Sequence, residues 1–323
     1  MKVYDGYGDS KTLIVFGHVL KISPMPRKTY RQNFIVNLFS ILRLFMVKPF
    51  PNAKLYTEWQ GQRLEAESQD DGFFKFAWEP IGPQEPGWHE ITVFLDEEKY
   101  SKLNIMGEAS LHIPHPARYN FISDIDDTFL ISHSSNLRKR LYVLFTKNAR
   151  TRKPFDDVVK HYQLLSTTTE NDEQRNSFFY VSSSEWNLYD MVTEFSRRQE
   201  LPRGVYLLNQ LKTFSEVLKT GQNKHVGKFT RIVRIIETYP KMKFVLLGDD
   251  TQEDSNIYLS VAEHFPGNIY SVYIRQLGRH EREDTCQVIE KIKIAGVHCC
   301  YFSHSSRAIE HSLKIGLVRL EEI

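Results

Sequence analysis

Residues 119–128, Tyr-Asn-Phe-Ile-Ser-Asp-Ile-Asp-Asp-Thr, are the stretch that decides the fold. The run opens as a short apolar strand, Tyr119–Ile122, and then presents two carboxylates, Asp124 and Asp126, two positions apart. Two acidic side chains leaving one buried strand repel each other unless a cation or a shared proton lies between them. A hard cation such as Mg²⁺ takes oxygen ligands and often binds one or two carboxylates together with phosphate. The run therefore indicates a cation-dependent site at a strand end.

The chain beyond residue 117 alternates apolar strands with longer helical stretches. Nearly continuous apolar strands separated by helices predict a parallel sheet covered on both faces, in an α/β domain. Such sheets bind ligands at the carboxyl ends of their strands. The predicted strands are YNFISDI at 119–125, SFFYVSS at 177–183, KFVLLGD at 243–249, NIYSVYI at 268–274 and VHCCYF at 297–302, and the predicted helices lie within 187–199, 225–240 and 305–315.

Three further polar features follow these strands or open a helix. Three serines at 182–184 come after the strand Phe178–Val181, where a hydroxyl and backbone N–H groups can hold phosphoryl oxygens. Lys228 stands at the start of a predicted helix, and Gly248–Asp254, GDDTQED, brings further carboxylates after an apolar strand. Each feature alone is weak, since serines form loops and a helix-starting lysine is usually solvated. Their joint order at one sheet edge predicts a phosphoryl-transfer site.

The region 1–117 has a different sequence pattern, in which short predicted strands are separated by polar turns. Alternating runs such as FFKFAW and a Gly/Pro cluster predict a small β-sandwich. An Asp-Gly pair at 71–72, between two β-rich runs, predicts a hairpin. A helical insert is expected at about 30–46, and the proline pair within His112–Pro116 predicts a stiff linker to the second domain, 118–323.

Bulk composition excludes several classes of protein. With 41% hydrophobic and 25% charged residues, the chain reads as globular rather than disordered or fibrous. A net charge of +2 gives no reason to expect nucleic acid as a partner. Three cysteines without spaced pairs suit a reducing compartment. The acidic N-terminal stretch lacks signal-peptide features, so we expect an unprocessed protein in the cytoplasm, with peripheral membrane contact left open.

The most lipophilic stretch, residues 34–45, leaves two interpretations open. Its apolar residues recur at helical spacing, but it is too short to span a bilayer. One interpretation is a helix lying on a membrane surface, flanked by Arg31, Arg43 and Lys48. The other, which base rates for amphipathic helices favour, is a buried helix that docks two domains.

The ordered motifs resemble those of the haloacid-dehalogenase superfamily of phosphohydrolases. More narrowly, the chain resembles the phosphatidate phosphatase family associated with actin patches in fungi, which has many bacterial relatives. The resemblance covers roughly residues 118–318, and the β-rich N-terminal region is in keeping with it. The strings that carry it are SDIDDTFLIS, NARTRKPFDDVVKHYQLL, YVSSSEWNLYD and YPKMKFVLLGDDTQEDSNIY.

The resemblance implies catalytic roles for five residues. Asp124 would be the nucleophile that forms an aspartyl-phosphate. Asp126 would protonate the leaving oxygen and then activate water. Thr128 would orient the loop, while Ser182 and Lys228 would stabilise the phosphoryl oxygens.

The resemblance also implies a Mg²⁺ site. The side chains of Asp124 and Asp249 and the backbone carbonyl of Asp126 would hold the ion, with Asp254 supporting Lys228 or a metal-bound water. Family members usually have Ser-Gly after the Gly-Asp of the last motif, whereas Asp250 and Thr251 follow it here. Asp250 is therefore a second candidate for a supporting carboxylate.

Residues 129–177 separate the first two motifs, and in this superfamily an insert at that point acts as a cap. The functional interpretation is a basic lid that recognises a phosphorylated or anionic-lipid substrate; the alternative is a solvated helix face. Ser183, His133 and Arg150 are candidate substrate contacts. The basic residues of the insert are Arg138, Lys139, Arg140, Lys147, Arg150, Arg152 and Lys153.

The sequence thus predicts Mg²⁺-dependent hydrolysis of a phosphoric monoester, with phosphatidate the leading substrate by resemblance. Two alternatives stay open. One is a phosphatase for a small soluble metabolite or a nucleic-acid end. The other is a membrane- or partner-binding scaffold with a vestigial site. The oligomeric state is not predicted.

Overall fold

A computed structural model describes residues 1–22, 44–96, 104–115, 119–125, 157–167, 175–210, 224–250 and 253–319. The chain divides into two compact units. One, the β unit, consists mainly of residues up to 116, and the other, the α/β unit, mainly of residues from 117 onward. In the described residues no helix is long and apolar enough to cross a membrane.

The described residues of the β unit form nine strands. Seven of them form one sheet in the order β6-β5-β8-β9-β1-β2-β7, and the other two, β3 and β4, pair with each other. The strands are β1 (Lys2–Gly8), β2 (Leu13–His18), β3 (Leu20–Ile22), β4 (Lys48–Pro49), β5 (Lys54–Trp59), β6 (Gln62–Glu67), β7 (Phe73–Trp78), β8 (Gly87–Leu95) and β9 (Met106–Ile113).

The core of the β unit follows from alternation along these strands. In β7 every second residue, from Phe74 to Trp78, is buried while the residues between them are exposed or half-buried. Leu13, Val93 and Leu111, from three different strands, are fully buried in one shared cluster. Burying such side chains stabilises the fold by about 1.5–3 kcal/mol each. The separate sheet-rich region predicted for this part of the chain is confirmed.

The hydrogen-bonded pairing of the strands differs from that expected of the predicted β-sandwich, which has two separate sheets. β1 pairs antiparallel with β2 on one side and parallel with β9 on the other. β1 thereby connects β2 and β7 to the other four strands of the sheet. Seven of the nine described strands therefore form one continuous sheet rather than two separately bonded sheets. A period-two pattern reports which face of a strand is buried, and it does not report the neighbours of that strand.

The predicted turn at Asp71-Gly72 forms, since the Gly72 amide donates to the Gln69 carbonyl at 2.8 Å and the Gln69 amide to the Phe73 carbonyl at 2.7 Å. The hairpin predicted around this turn is wrong. β6 and β7, on either side of it, lie at opposite ends of the sheet. The hairpin forms instead between β5 and β6, where Gln60 and Gly61 both have positive φ, 49° and 79°, as a type I′ turn requires. Asp71 does not have positive φ, and Gly72 packs so closely on β2–β3 that an added Cβ would lie 2.3 Å from the Val19 carbonyl oxygen.

The predicted insert at about 30–46 lies almost entirely outside the described residues. Leu44 and Phe45 at its end are helical and buried. The two interpretations of the apolar stretch therefore stay predictions.

In the α/β unit, the part that the structure describes contains six parallel strands in the order β12-β11-β10-β13-β14-β15. Numbered along this unit, the order is 3-2-1-4-5-6, with the direction of winding reversing between β10 and β13. The strands are β10 (Tyr119–Ser123), β11 (Ser177–Glu185), β12 (Gly204–Asn209), β13 (Lys243–Asp249), β14 (Ile269–Arg275) and β15 (His298–Phe302). The helices are α1 (Val158–Ser166), α2 (Tyr189–Arg198), α3 (Lys224–Thr238), α4 (Asp254–His264), α5 (Glu283–Ile294) and α6 (Ser305–Lys314).

The predicted α/β class with a parallel sheet is confirmed. The five predicted strands correspond to five of the six, and β10 and β13 are buried almost throughout. The sixth strand, β12, is not among those predicted, because a short apolar run such as Val205–Leu208 reads equally well as part of a buried helix.

Helix α1 falls within the stretch 129–177 that the sequence assigns to a cap. It is not a solvent-facing lid element: Val158 and Leu165 are fully buried, and the His161 ring lies 2.9 Å from Ser312 Oγ in α6. Most of the rest of that stretch lies outside the described residues.

Candidate active site

Three aspartates and one lysine converge where the sheet reverses its winding. Asp124 follows directly after β10, and Asp249 ends the neighbouring strand β13. Asp254 lies in the first turn of α4, a location that favours a carboxylate because of the helix dipole. Lys228 reaches the same point from α3. The parallel sheet therefore brings together residues that lie up to 130 positions apart in the chain.

The three carboxylates form a compact buried group. One oxygen each from Asp124, Asp249 and Asp254 lies within 4.8 Å of the others, and the three side chains are at most 1% exposed. Like charges held this close favour a cation between them. Among the described residues this is the cluster of possible metal ligands that the structure contains.

Lys228 connects two of these carboxylates. Its Nζ donates hydrogen bonds to Asp124 Oδ1 at 2.7 Å and to Asp254 Oδ1. Burial acts to lower the pKa of Lys228, but the charges of Asp124 and Asp254 and their hydrogen bonds outweigh it, so the pKa is raised. The ammonium therefore stays charged at neutral pH and holds both carboxylates in place.

Close packing at Gly248 explains how Asp254 reaches the cluster. A Cβ at this position would lie 2.5 Å from Asp254 Oδ2 and 2.8 Å from the Tyr258 ring. The same Asp254 oxygen accepts a long hydrogen bond, 3.4 Å, from the Asp249 amide. Glycine before Asp249 therefore lets α4 approach the end of β13, which any larger residue would prevent.

A buried arginine lies beside the acidic group. Burial lowers the pKa of Arg275 to about 10, while Tyr162 and Asp249 act in the opposite direction. Its guanidinium remains charged and donates to Ser305 Oγ at 2.9 Å. Even with Arg275 counted beside Lys228, the three carboxylates leave the group negatively charged. The sequence analysis missed Arg275, although a basic residue directly after an apolar strand is a usable signal.

Asp250 does not join the cluster. Its carboxylate accepts from the Leu277 amide at 3.1 Å and from the Tyr301 hydroxyl at 2.7 Å. The neighbouring Asp249 lies with the cluster instead, because successive side chains of a strand point to opposite faces. The structure therefore places Asp249, and not Asp250, in the acidic cluster.

The serines at 182–184 form an irregular end to β11. Regular pairing with β12 is interrupted between Val181 and Glu185. Within the irregularity the Ser184 amide donates to Ser182 Oγ at 2.9 Å, and Arg231 Nη2 donates to the Ser182 carbonyl at 3.1 Å. Arg231, which the sequence analysis missed, thus holds the backbone of the predicted phosphate-binding segment.

All but one of the remaining predicted site residues lie outside the described part of the chain. Ser183 is described and buried, but Asp126 and Thr128 are not described. The two candidate substrate contacts of the insert, His133 and Arg150, are likewise outside it.

The fold and these charges first define a class: an α/β unit whose parallel sheet carries a buried acidic cluster at its carboxyl edge. Residues 119–276 match the family described as the catalytic domain of the phosphatidate phosphatase APP1. The resemblance of the sequence to the phosphatidate phosphatase family is thereby confirmed for this segment, which is similar to the APP1 catalytic domain.

Two fungal proteins are similar in sequence to about half of this chain. Phosphatidate phosphatase APP1 of Saccharomyces cerevisiae is 29% identical over 163 residues, 50% of this chain and 26% of that protein. An uncharacterized protein of Schizosaccharomyces pombe is 24% identical over 177 residues, 53% of this chain and 27% of its own length. The match thus spans about a quarter of the length of these relatives.

Among solved structures, a carbohydrate acetylesterase from Xanthomonas citri aligns over 95% of this chain and 71% of its own. The TM-score is 0.35 and the identity 8%, so this likeness carries no argument about fold or activity.

Proposed function

We propose that the α/β unit is a haloacid-dehalogenase-like domain and that the protein hydrolyses phosphoric monoesters with Mg²⁺. The observation that carries the proposal is the buried cluster of Asp124, Lys228, Asp249 and Asp254 at the point where the sheet reverses. Burying charged groups costs about several kcal/mol per ion, so such a cluster is a strong indication of a functional site. The relation of residues 119–276 to the APP1 catalytic domain supports the same proposal.

The residues present fit Mg²⁺. Asp124, Asp249 and Asp254 offer hard oxygen donors within 4.8 Å of one another, and the group keeps a net negative charge. Asp124 and Asp249 are the side chains that would hold the ion, with the Asp126 carbonyl expected as a further ligand from the resemblance. When bound, Mg²⁺ neutralises charge so that a carboxylate can approach a phosphate.

The chain's own residues would then carry the reaction. An oxygen of Asp124 forms a bond to phosphorus while the bond from phosphorus to the leaving oxygen breaks. Asp126 gives its proton to that leaving oxygen and later takes one from the water that hydrolyses the aspartyl-phosphate. Lys228, fixed by Asp254, orients Asp124 and offsets charge on the phosphoryl group. Ser182 and the backbone N–H groups beside it would hold phosphoryl oxygens.

Phosphatidate is the substrate that the comparisons favour. Both the matched family and the Saccharomyces cerevisiae relative are described as phosphatidate phosphatases. The products would be diacylglycerol and inorganic phosphate. A substrate of this kind lies in a lipid surface, so peripheral membrane contact belongs to the proposal.

Phosphate release from two substrates tests the proposal. Purified protein is offered phosphatidate in mixed micelles and, separately, p-nitrophenyl phosphate, each with Mg²⁺ and with chelator. We expect Mg²⁺-dependent turnover of both, faster on phosphatidate, and its loss in Asp124→Asn. Turnover that is unchanged in Asp124→Asn would contradict the assigned nucleophile.

Other outcomes would identify the alternatives. Turnover of water-soluble phosphates with none on phosphatidate would favour a metabolite or nucleic-acid-end phosphatase. Flotation with anionic vesicles, combined with no turnover across a broad panel of phosphate esters, would favour a scaffold with a vestigial site.

A further inference from the structure

Two buried tyrosines hold the backbone of Asp124 from opposite sides of its peptide. Tyr162 comes from α1 and Tyr258 from α4, and both are at most 1% exposed. Neither touches the acidic cluster by an ion pair, and the proposed chemistry assigns no role to either hydroxyl. Their hydrogen bonds lead to the peptide groups on the two sides of the proposed nucleophile.

On the carbonyl side, the contact runs through Ser123. Ser123 Oγ donates to the Asp124 carbonyl oxygen at 2.6 Å and lies 2.7 Å from the Tyr162 hydroxyl. A serine hydroxyl has one proton, and here Asp124 receives it, so Tyr162 must be the donor to Ser123. The tyrosine thus fixes the rotation of the Ser123 hydroxyl and, through it, the carbonyl of Asp124.

On the amide side, the contact runs through Leu247 of β13. The Asp124 amide donates to the Leu247 carbonyl at 2.8 Å, and the Tyr258 hydroxyl donates to the same oxygen at 2.8 Å. A carbonyl oxygen has two lone pairs and accepts both bonds. Tyr258 thus fixes the acceptor that holds the Asp124 amide.

Both hydroxyls keep their protons at any ordinary pH. Burial raises the pKa of Tyr162. Burial raises the pKa of Tyr258 as well, followed by the charges of Asp254 and Asp124. Both phenols therefore remain donors.

We propose that Tyr162 and Tyr258 are positioning residues that clamp the Asp124 peptide and thereby aim its carboxylate at phosphorus. The inference rests on the proposed function, because it takes Asp124 as the nucleophile. If the carboxylate rotates away from the in-line direction, the rate of the chemical step falls. The contacts that bind the phosphate group are unaffected. The clamp therefore acts on kcat rather than on KM.

Phenylalanine variants test the clamp, since they remove only the hydroxyl. Tyr162→Phe and Tyr258→Phe are compared with Tyr180→Phe. Tyr180 is equally buried and donates to the Pro202 carbonyl at 2.8 Å. Phosphate release from p-nitrophenyl phosphate with Mg²⁺ gives kcat and KM, and thermal unfolding gives stability. We expect kcat to fall about tenfold in each clamp variant, with KM within about twofold. Tyr180→Phe should keep kcat within about twofold at a similar loss of stability.

Amide hydrogen exchange gives a second measurement that does not depend on turnover. The peptide covering Tyr119–Ile125 should exchange faster in both clamp variants than in wild type and in Tyr180→Phe. Clamp variants that match Tyr180→Phe in kcat would overturn the inference. A wild type that turns over neither phosphatidate nor p-nitrophenyl phosphate would contradict the proposed function. Hydrogen exchange would then decide the clamp, and unchanged protection of this peptide in the clamp variants would overturn it.

Discussion

The two units of this protein differ in how many charged side chains they bury. In the described part of the β unit the buried polar side chains are His18, Thr57, Ser68 and His112, and none of the buried residues is an aspartate, glutamate, lysine or arginine. Among the residues of the α/β unit that the structure describes, seven such side chains are buried: Asp124, Glu185, Lys228, Asp249, Asp250, Asp254 and Arg275.

The difference favours the α/β unit as the one that carries a ligand site. Apolar burial stabilises the β unit directly, whereas buried ions cost free energy that their partners only partly return. Four of the buried charges of the α/β unit form one cluster at the carboxyl edge of its sheet. We therefore expect substitutions in the cluster to affect chemistry first, and those in the β unit to affect stability alone.

The largest expected effect is that of Asp124→Asn. Removing the nucleophile should lower kcat by about 10³-fold or more. Because the amide has the shape of the carboxylate and relieves repulsion within the cluster, thermal stability should hold or rise. Initial rates measure kcat, and a melting curve measures thermal stability. A variant that loses stability but keeps its kcat would contradict the expected contrast between the two units.

Neighbouring carboxylates give the next test. Asp249→Asn removes a proposed Mg²⁺ ligand, so half-maximal activity should require about tenfold or more Mg²⁺. Asp250→Asn is the matched control, because that carboxylate binds Leu277 and Tyr301 outside the cluster. A Mg²⁺ titration of initial rates compares the two. An equal Mg²⁺ requirement in both variants would contradict the separation of Asp249 from Asp250.

Lys228→Met should affect both activity and stability. It leaves Asp124 and Asp254 buried without the ammonium between them, which costs about 3–5 kcal/mol. Denaturant unfolding measures the loss in the free energy of unfolding. Added Mg²⁺ should recover part of this free energy by binding at the cluster. A variant as stable as wild type without Mg²⁺ would show that the lysine does not offset the charge of these carboxylates.

Leu111→Ala tests the other side of the comparison. Leu111 is fully buried in the core of the β unit, and truncation of a core leucine costs about 2–5 kcal/mol. At a temperature where the variant remains folded, kcat on p-nitrophenyl phosphate should be unchanged. A reduced kcat there would mean that the β unit also contributes to chemistry.

The smallest effect near neutral pH comes from two buried histidines whose pKa is lowered, His18 in the β unit and His161 in the α/β unit. Burial lowers the pKa of His18 to about 4 and that of His161 to about 3, from the ordinary value of 6.5. Below pH 6.5 the unfolded chain binds protons that the folded one does not, so stability falls as pH falls toward these values. His161→Gln should make the fall of melting temperature between pH 6.5 and 4 shallower. An unaltered slope would show that His161 is not held neutral by the fold.

The parallel sheet and its functional edge were largely predictable from the sequence. Apolar runs before Asp124, Ser182 and Asp249 mark strand ends, and parallel strands bring such ends to one edge. The strand β12 and the sheet order of the β unit were not predictable in this way, since periodicity gives burial and not pairing partners. A turn forms at Asp71-Gly72, but no hairpin accompanies it, because β6 pairs with β5 and β7 pairs with β2.

Several contacts of the site depend on tertiary structure alone. That Asp249 joins the cluster while Asp250 turns away depends on the register of β13, which no local pattern records. Tyr162 and Tyr258 look like ordinary core tyrosines until their acceptors are seen. The roles proposed for Asp126, Thr128, His133 and Arg150 stay predictions, as do the boundaries of the cap.

The most direct test of the central claim is chemical trapping of the phosphorylated residue. Wild-type protein is mixed with substrate and Mg²⁺, quenched in acid and treated with borohydride, which reduces an aspartyl-phosphate to homoserine. We predict, by mass spectrometry of peptides, homoserine at position 124 and no reduced residue in Asp124→Asn. Active enzyme that gives reduction at another carboxylate, or at none, would contradict the assignment of Asp124 as the nucleophile.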